Sequence, residues 1–399
     1  MSLIYQIIIR LYGVFIYLAS PFSLKARQWL NGRKKLEDCI PDGTLENVIW
    51  FHCASLGEYM QAKPLIEALK ERQKEHKILI TFFSPSGYLN SGKNEHVDYK
   101  AYLPLDTPAN AESFLEITKP KIAIFIKSEL WPNFIKKLNN KSIPTYVVSA
   151  IFEPQHYLFK FYGKWHLRIL KDVSHFFVQD EESKTQLNKK GILNVTVSGD
   201  NRYDKVFKDS IHSKEIPYIN SFKGSYPLIV AGSTYKNECK MLINISNRIP
   251  ELKFILAPHN IELCEDFKKY GLLYSQANKE NVKNYSIMII DSIGILSQLY
   301  QYATLSYIGG AFGKGLHNIL EAIAFGSYVF FGPKFHKYKE ANEAIRIGIA
   351  QSIMSEYELE TAIKKYIENS SHSKNDALAF ISENKGANKI IINAIKDVI

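Results

Sequence analysis

The stretch VIWFHCASLGEY, residues 48–59, joins a run of apolar residues to a helical pattern through a short turn of small residues. An apolar run of this length is typical of a buried strand that leads into a helix. Glu58 lies where that helix begins. A helix dipole would stabilise a carboxylate there, and open α/β sheets also place catalytic groups at the carboxyl ends of their strands. The stretch alone leaves a structural and a catalytic role for Glu58 open.

The same alternation of apolar runs and helical segments continues along the chain. It predicts parallel sheets with helices on both faces. The polar residues 200–226 interrupt the rhythm, so we interpret them as the connection between two doubly wound domains that face a cleft. Strands are predicted at 48–52, 78–82, 122–126, 145–148, 176–178 and 195–197, and then at 228–231, 254–257, 287–290, 305–308 and 328–331.

Length and composition agree with a folded protein of two domains. The 399 residues are 46% hydrophobic and 23% charged, and the formal net charge is +10. Such an excess of positive charge favours an anionic membrane surface or a phosphorylated substrate. Nucleic acid is disfavoured, because the chain has neither zinc-finger spacing nor an aromatic RNA-binding signature. The four cysteines, which form no CxxC pair, indicate reduced thiols (Cys39, Cys53, Cys239 and Cys264).

The first 35 residues differ from the rest of the chain. Residues 2–22 are apolar and aromatic apart from Gln6 and Arg10, and several basic residues follow them, including Lys34 and Lys35. We expect a membrane-associated helix, either a short anchor or an amphipathic helix in the plane of the membrane. The basic flank predicts that the remaining chain lies on the cytoplasmic side. A buried first helix is the alternative.

Turns of glycine and other small residues follow three strands in the second half: AGST (231–234), IGGAFGKGLHN (308–318) and FGPKF (331–335). Such turns let a ligand approach the backbone, and together they favour a phosphate-bearing ligand. In the segment HNILE, Asn318 is expected at a helix start and Glu321 one turn later. Glu321 could complete a capping box or bind a ribose diol, and the sequence does not separate the two roles.

Two further residues in the first half could act together with Glu58. Glu129 follows a predicted strand within IKSELWPNF, and Arg202 lies in SGDNRYDK near the domain junction. Two carboxylates and an arginine at one cleft could supply a general base, an orienting group and an anion stabiliser. The chain has no Asp-x-Asp motif and no cluster of histidines and carboxylates at metal spacing. We therefore expect no metal cofactor.

Eight motifs in order resemble the 3-deoxy-D-manno-octulosonic acid (Kdo) transferases of lipopolysaccharide synthesis. They are SLGE, SPSG, YLPLD, SELWPN, SGDNRYD, AGST, IGGAF with HNILE, and FGP, between about residues 50 and 334. The resemblance implies a GT-B fold, in which two Rossmann-like domains face a cleft, with an N-terminal membrane-associated helix. It also implies inverting transfer of Kdo from the co-substrate CMP-Kdo to the tetra-acylated lipid A precursor, at the inner membrane and without a cofactor.

The resemblance also assigns residues. Glu58 matches the catalytic base, and Glu129 and Arg202 match positions that support the transition state. The segments that match the CMP-binding ones contain Pro258, His259, Ile293, Gly294, Ile295, Asn318, Ile319, Leu320 and Glu321.

The corresponding domains are an anchor over 1–35, an acceptor-binding domain over 36–207 and a donor-binding domain over 208–399. The C-terminal helix could pack back on the first domain. Two alternatives remain open at this point. One is another GT-B enzyme, with a different nucleotide sugar or with epimerase activity. The other is a non-catalytic, membrane-associated protein that binds nucleotide or lipid.

Overall fold

The computed structural model describes residues 2–33, 45–127, 129–313, 315–369 and 374–399. Lys34 and Lys35 of the basic flank, Cys39 and the expected boundary at residue 35 lie outside these residues. The chain divides into two compact units, Met1–Lys205 with Lys385–Ile399, and Val206–Asn384.

Each unit is built on a parallel sheet. The strands described for the first sheet are β1 (Val48–Cys53), β2 (Lys77–Phe82), β3 (Tyr99–Tyr102), β4 (Pro120–Ile126), β5 (Thr145–Ala150), β6 (His175–Val178) and β7 (Val195–Val197). Those of the second are β8 (Leu228–Thr234), β9 (Lys253–Pro258), β10 (Leu272–Leu273), β11 (Ile287–Ile289), β12 (Leu305–Ile308), β13 (Tyr328–Phe331) and β14 (Ala350–Ser352).

Helices connect and cover the strands. They are α1 (Ser2–Ala19), α2 (Leu24–Gly32), α3 (Leu56–Arg72), α4 (Pro85–Asn90), α5 (Pro108–Thr118), α6 (Pro132–Asn140), α7 (Lys164–Leu170), α8 (Glu181–Asn188) and α9 (Asn201–Ile211). They continue with α10 (Ile219–Lys223), α11 (Lys236–Arg248), α12 (Leu263–Phe267), α13 (Leu296–Leu299), α14 (Leu320–Ile323), α15 (Lys339–Arg346), α16 (Glu356–Asn369), α17 (Lys374–Asn384) and α18 (Ala387–Ile395).

The strand order places a switch point in each sheet. The first sheet runs β3-β2-β1-β4-β5-β6-β7, so the chain moves outward from β1 on one side and from β4 on the other. The second runs β10-β11-β9-β8-β12-β13-β14, with the corresponding point between β8 and β12. All of the paired strands described are parallel, so their carboxyl ends lie at one edge of each sheet. Such switch points are where open α/β sheets bind ligands.

The predicted α/β architecture is confirmed, including all eleven expected strands. Three short edge strands, β3, β10 and β14, were not predicted, because YKAY and AQS contain polar residues and LL is only two residues long, so none gives a continuous apolar run. The polar stretch 200–226 was expected to be a connection, yet α9 and α10 occupy much of it. The helix expected to begin at Asn318 begins at Leu320.

The core of the first unit lies on both faces of its sheet. Every residue of β1 is buried, as expected for a strand with sheet neighbours on both sides and helices on both faces. On one face, the Trp50 ring centroid lies 4.7 Å from that of Phe114 and 5.7 Å from that of Phe134. On the other face, Ile49 and Phe51 pack in a cluster that includes Ile391 of α18. Residues from both ends of the chain sequence therefore stabilise one sheet.

Helix α1 packs on the first unit along one side only. The Tyr5 hydroxyl donates to Asp106 Oδ2 at 2.7 Å, and the Gln6 amide donates to Asn133 Oδ1 at 2.8 Å. The other side of the helix carries large exposed apolar residues, namely Leu3, Ile4, Ile7, Ile8, Leu11, Val14, Phe15 and Leu18. Within the described residues, no helix combines the length and the apolar character that crossing a bilayer requires.

Asp106, the last residue of YLPLD, caps a helix that comes later in the sequence. Its carboxylate accepts hydrogen bonds from the backbone N–H groups of Asn133 and Phe134, each at 3.1 Å, at the start of α6. Trp131, the residue that precedes α6, makes no side-chain capping bond. The fully buried Asp106 therefore satisfies the start of α6 and binds α1 through Tyr5.

We predict that Asp106→Asn destabilises the folded protein by about 1–3 kcal/mol, because one amide oxygen cannot accept from all of these buried donors. Asp98→Asn is the matched control. Asp98 also accepts from a backbone N–H, that of Ile78 at 2.8 Å, but its side chain is partly exposed at the amino edge of the sheet. Thermal unfolding should show a smaller loss for Asp98→Asn. Equal losses would contradict the role given to Asp106.

Candidate active site

Glu58 lies at the carboxyl end of β1, in the first turn of α3. Ser55 occupies the N-cap position, but its hydroxyl donates to the Glu58 carboxylate and makes no capping bond to the backbone. The side chain of Glu58 is half-buried. Its carboxylate is therefore oriented by a neighbouring hydroxyl and is still accessible from solvent.

Glu129 lies at the carboxyl end of β4, the strand beside β1. The chain turns sharply before it, because Lys127 adopts a left-handed conformation with φ of 62°. The Lys127 N–H donates to the Val148 carbonyl at 2.8 Å, which holds this turn against β5. Burial raises the pKa of Glu129, and the negative charge of Glu58 raises it further. The structure thus brings the two predicted acids together at the switch point of the first sheet.

A hydrogen bond to a buried histidine fixes the segment that carries Glu129. Trp131 donates from its indole nitrogen to His52 Nε2 at 2.9 Å, across the gap between the ends of β1 and β4. The other ring nitrogen of His52 lies 3.0 Å from Thr81 Oγ1. Because Nε2 accepts, we assign the ring proton to Nδ1. Burial lowers the pKa of His52 to about 3, so its ring stays neutral at physiological pH.

Arg202 is connected to the helix of Glu58 through a buried carboxylate. Its Nε and one terminal nitrogen each lie 2.7 Å from Asp200 Oδ2. The other oxygen of Asp200 lies 3.5 Å from the amide nitrogen of Gln61, one turn after Glu58 on α3. The next residue, Asn201, bonds to Ser149 and to Asn388 of α18. These contacts hold the start of α9 at the carboxyl edge of the sheet, where both acids lie.

The residues expected to bind CMP follow strands of the second sheet. Pro258 ends β9, and the ring of His259 lies 4.7 Å from that of His317, the residue before Asn318. The Tyr235 ring lies 5.1 Å from His259 and thus completes an aromatic group at this edge. Residues 293–295 form a separate turn after β11, where Ile293 is 90% exposed and Gly294 has φ of 97°.

The side chain of Asn318 contacts both the start of α14 and Glu321. Its side-chain oxygen accepts from the Leu320 N–H at 3.2 Å, and its amide donates to Glu321 Oε1 at 3.1 Å. Ile319 and Leu320 are fully buried, so they anchor this segment from the inside. Asn318 thus caps α14 and orients the carboxylate of Glu321.

Sequence reasoning missed Glu238, which holds the switch point of the second sheet. This buried carboxylate accepts from the Gly310 N–H at 2.9 Å, the Tyr307 hydroxyl at 3.0 Å and the Tyr235 N–H at 2.8 Å. It therefore connects the start of α11 to the glycine turn after β12. The signal was an acid in the first turn of a helix that follows a strand and a small-residue turn, as in SLGE.

Within the part of the chain that the structure describes, no three histidine, cysteine, aspartate or glutamate side chains come together to hold a metal ion. Glu58 and Glu129 lie close together at the first sheet, and Arg202, paired with Asp200, lies at the start of α9 on the same edge. Chemically, this set can accept a proton and stabilise an anion.

The raised pKa of Glu129 predicts how the stability of a variant depends on pH. An acid with a raised folded-state pKa stabilises the fold below its unfolded pKa and loses that contribution as pH rises through the folded value. Glu129→Gln removes the buried charge, so its melting temperature relative to wild type should increase from pH 4 to pH 8. Differential scanning fluorimetry measures this difference.

The control is Glu112→Gln, for which the expected change in stability with pH has the opposite sign. Lys137 and Lys141 lower the pKa of Glu112 to about 2, so its contribution is present above the unfolded pKa and is lost as pH falls through the folded value. Glu112→Gln should therefore be slightly less stable than wild type at pH 7. A stability difference for Glu129→Gln that does not change with pH would contradict a destabilised carboxylate.

Known proteins are similar to this chain over most of its length. The family model described as "3-Deoxy-D-manno-octulosonic-acid transferase (kdotransferase)" matches residues 26–205. A 3-deoxy-D-manno-octulosonic acid transferase from Aquifex aeolicus is 29% identical, over 83% of this chain and 90% of its own length. A bifunctional glycosyltransferase/methyltransferase from Fusobacterium nucleatum is 26% identical over 96% of this chain, which spans only 62% of that protein.

Among solved structures, a UDP-N-acetylglucosamine 2-epimerase-like protein from Listeria monocytogenes matches with a TM-score of 0.60. The match covers 88% of this chain and 96% of that one, at 14% identity, and it shows the fold alone. The paired Rossmann-like sheets are thus those of GT-B proteins. Together, the family model and the curated relatives show that this chain is similar to 3-deoxy-D-manno-octulosonic acid transferases, and they indicate a glycosyltransferase.

Proposed function

We propose that this chain transfers Kdo from CMP-Kdo to the tetra-acylated lipid A precursor, with inversion at the anomeric carbon. The observation that carries the proposal is the pair of acids at the switch point, where burial and the nearby charge of Glu58 both raise the pKa of Glu129. The names of the curated relatives support the choice of sugar. The acceptor and the role of each residue are our inference from the resemblance and the geometry.

In the proposed reaction, Glu58 is the general base. It takes the proton from a hydroxyl of the acceptor while that oxygen attacks the anomeric carbon of Kdo and CMP leaves from the opposite face. The Ser55 hydroxyl orients the carboxylate of Glu58 by donating to it. Glu129, which holds a proton more readily than an ordinary glutamate, supports the transition state by donating a hydrogen bond.

The donor would be held at the carboxyl edge of the second sheet. Pro258, His259, residues 293–295 and residues 318–321 are the segments we assign to CMP. Glu321 would bind the ribose diol in the orientation that Asn318 gives it. Arg202 would stabilise negative charge in the transition state. We propose no metal, so the reaction should proceed in the presence of EDTA.

The acceptor carries phosphates and acyl chains, and we propose that it is captured at the cytoplasmic face of the inner membrane. The outward apolar side of α1 would enter the membrane interface while Tyr5 and Gln6 keep the helix attached to the first unit. The formal net charge of +10 favours an anionic lipid surface. The helix would then lie in the plane of the membrane.

Glu58→Gln tests the proposed base. Glutamine keeps the shape of the side chain but cannot take the proton, so the rate of Kdo transfer should fall by roughly 10²-fold or more. Thermal stability should change little, because a charge in the first turn of a helix contributes only about 0.3–1 kcal/mol. Mass spectrometry of lipid A precursor incubated with CMP-Kdo measures the transfer.

Glu67→Gln, on the same helix, is the matched control, because Glu67 lies near Lys63 in a partly exposed ion pair. It should transfer Kdo at the wild-type rate. A folded Glu58→Gln protein with near wild-type activity would return Glu58 to a purely structural role. Wild-type protein that adds no Kdo would contradict the proposed function itself.

Glu321→Ala tests the donor site. Loss of a charged hydrogen bond to the ribose should raise KM for CMP-Kdo by about 10-fold or more, and should change KM for the acceptor much less. Glu343→Ala is the control, because Glu343 is paired with Arg346 on the surface of the same unit. An effect confined to the acceptor would mean that Glu321 does not contact CMP.

A further inference from the structure

The segment over residues 157–164, named here the aromatic loop, exposes two large aromatic side chains. Phe161 is 78% exposed and Tyr162 is 46% exposed. Lys160 and Lys164 flank them and are also exposed. The loop belongs to the connection that leaves β5 at the carboxyl edge of the first sheet, the same edge as Glu129.

The fold holds the aromatic loop in one shape. It contains two 3₁₀ turns, over Tyr157–Phe159 and Phe161–Gly163, and the side chain of Leu158 in the first turn is fully buried. Gly163 packs so closely that a Cβ atom there would lie 2.2 Å from the Tyr157 carbonyl oxygen. The exposed rings are therefore presented by an ordered backbone. Large apolar groups exposed in this way indicate a binding surface.

The aromatic loop lies beside both the site and α1. Burial raises the pKa of Tyr157 to about 12, and the negative charge of Glu129 contributes to the increase. The Tyr157 hydroxyl lies 3.0 Å from His166 Nδ1. Immediately after the loop, the ring of Trp165 lies 5.3 Å from that of Tyr5 on α1. The loop thus lies between Glu129 and the packed side of α1.

We propose that the aromatic loop is a second contact with an anionic lipid bilayer, which acts together with α1. Aromatic rings with flanking lysines match the interfacial region of a membrane, where the rings lie among headgroups and the ammonium groups meet lipid phosphates. Two contacts fix an orientation that one helix cannot. The carboxyl edge with Glu58 and Glu129 then faces the lipid acceptor. This inference rests on the membrane association in the proposed function.

The test measures binding of the full chain to vesicles by co-sedimentation. The vesicles contain phosphatidylethanolamine and phosphatidylglycerol in a ratio of three to one. Phe161→Ser with Tyr162→Ser should lower the partition coefficient at least about 10-fold, since burying one such ring is worth about 1.5–3 kcal/mol. Tyr270→Ser with Tyr285→Ser removes exposed rings from the second unit and should leave binding unchanged.

Two further pairs of substitutions separate the contributions of the lysines and of α1 to vesicle binding. Lys160→Gln with Lys164→Gln should weaken binding to these vesicles more than to vesicles of phosphatidylcholine alone, because only the former carry net negative charge. Ile8→Ser with Phe15→Ser, on the outward side of α1, measures the contribution of that helix. The ring variants of the loop should lose Kdo transfer to acceptor in vesicles and keep it with acceptor dispersed in detergent.

The outcomes are distinguishable. Loop ring variants that bind vesicles as wild type does, while the α1 variant does not, would overturn the role of the aromatic loop and leave α1 as the membrane contact. Wild-type protein that does not bind the vesicles would overturn both membrane contacts. Kdo transfer in detergent would still test the proposed reaction separately. An equal loss of activity in vesicles and in detergent would also overturn the inference, because it would indicate a damaged site.

Discussion

The hydrogen bond from Trp131 to His52 Nε2 fixes the geometry on which the proposed site depends. It joins the segment after β4 to the end of the adjacent strand β1, at the point where the strand order reverses, and its acceptor ring is fully buried. A neutral imidazole is required, because a protonated ring could not accept at Nε2. Burial lowers the pKa of His52 to about 3 and so maintains that state. Glu129, two residues before Trp131, is thereby held beside Glu58.

In the second unit, a carboxylate fixes the geometry at the switch point. This switch point also opens between two parallel strands, and Glu238 bridges it by accepting from Gly310 and from Tyr235. Burial raises the pKa of Glu238, and its three hydrogen-bond donors oppose that effect. The turn of glycines is therefore shaped by a buried acceptor, and the turn in the first unit is shaped by paired aromatic rings.

The N-terminal helix and the active-site segment share one anchor. Asp106 accepts from Tyr5 on α1 and from the start of α6, which follows Glu129 in the chain. Movement of α1 would therefore shift Asp106 and, through it, the segment that carries Glu129. Under the proposed function, the same buried carboxylate would hold both the membrane-associated helix and the geometry of the site.

The sequence by itself determined the class of fold and most strands, because apolar periodicity and small-residue turns are local properties. It also placed Glu58 and Glu129 at strand ends. Only the tertiary structure decided that those ends are adjacent, since strand order depends on packing across the whole sheet. The buried state of His52, the cap from Asp106 and the role of Glu238 were equally beyond local patterns. Each depends on partners that are distant in sequence and meet only when the sheets form.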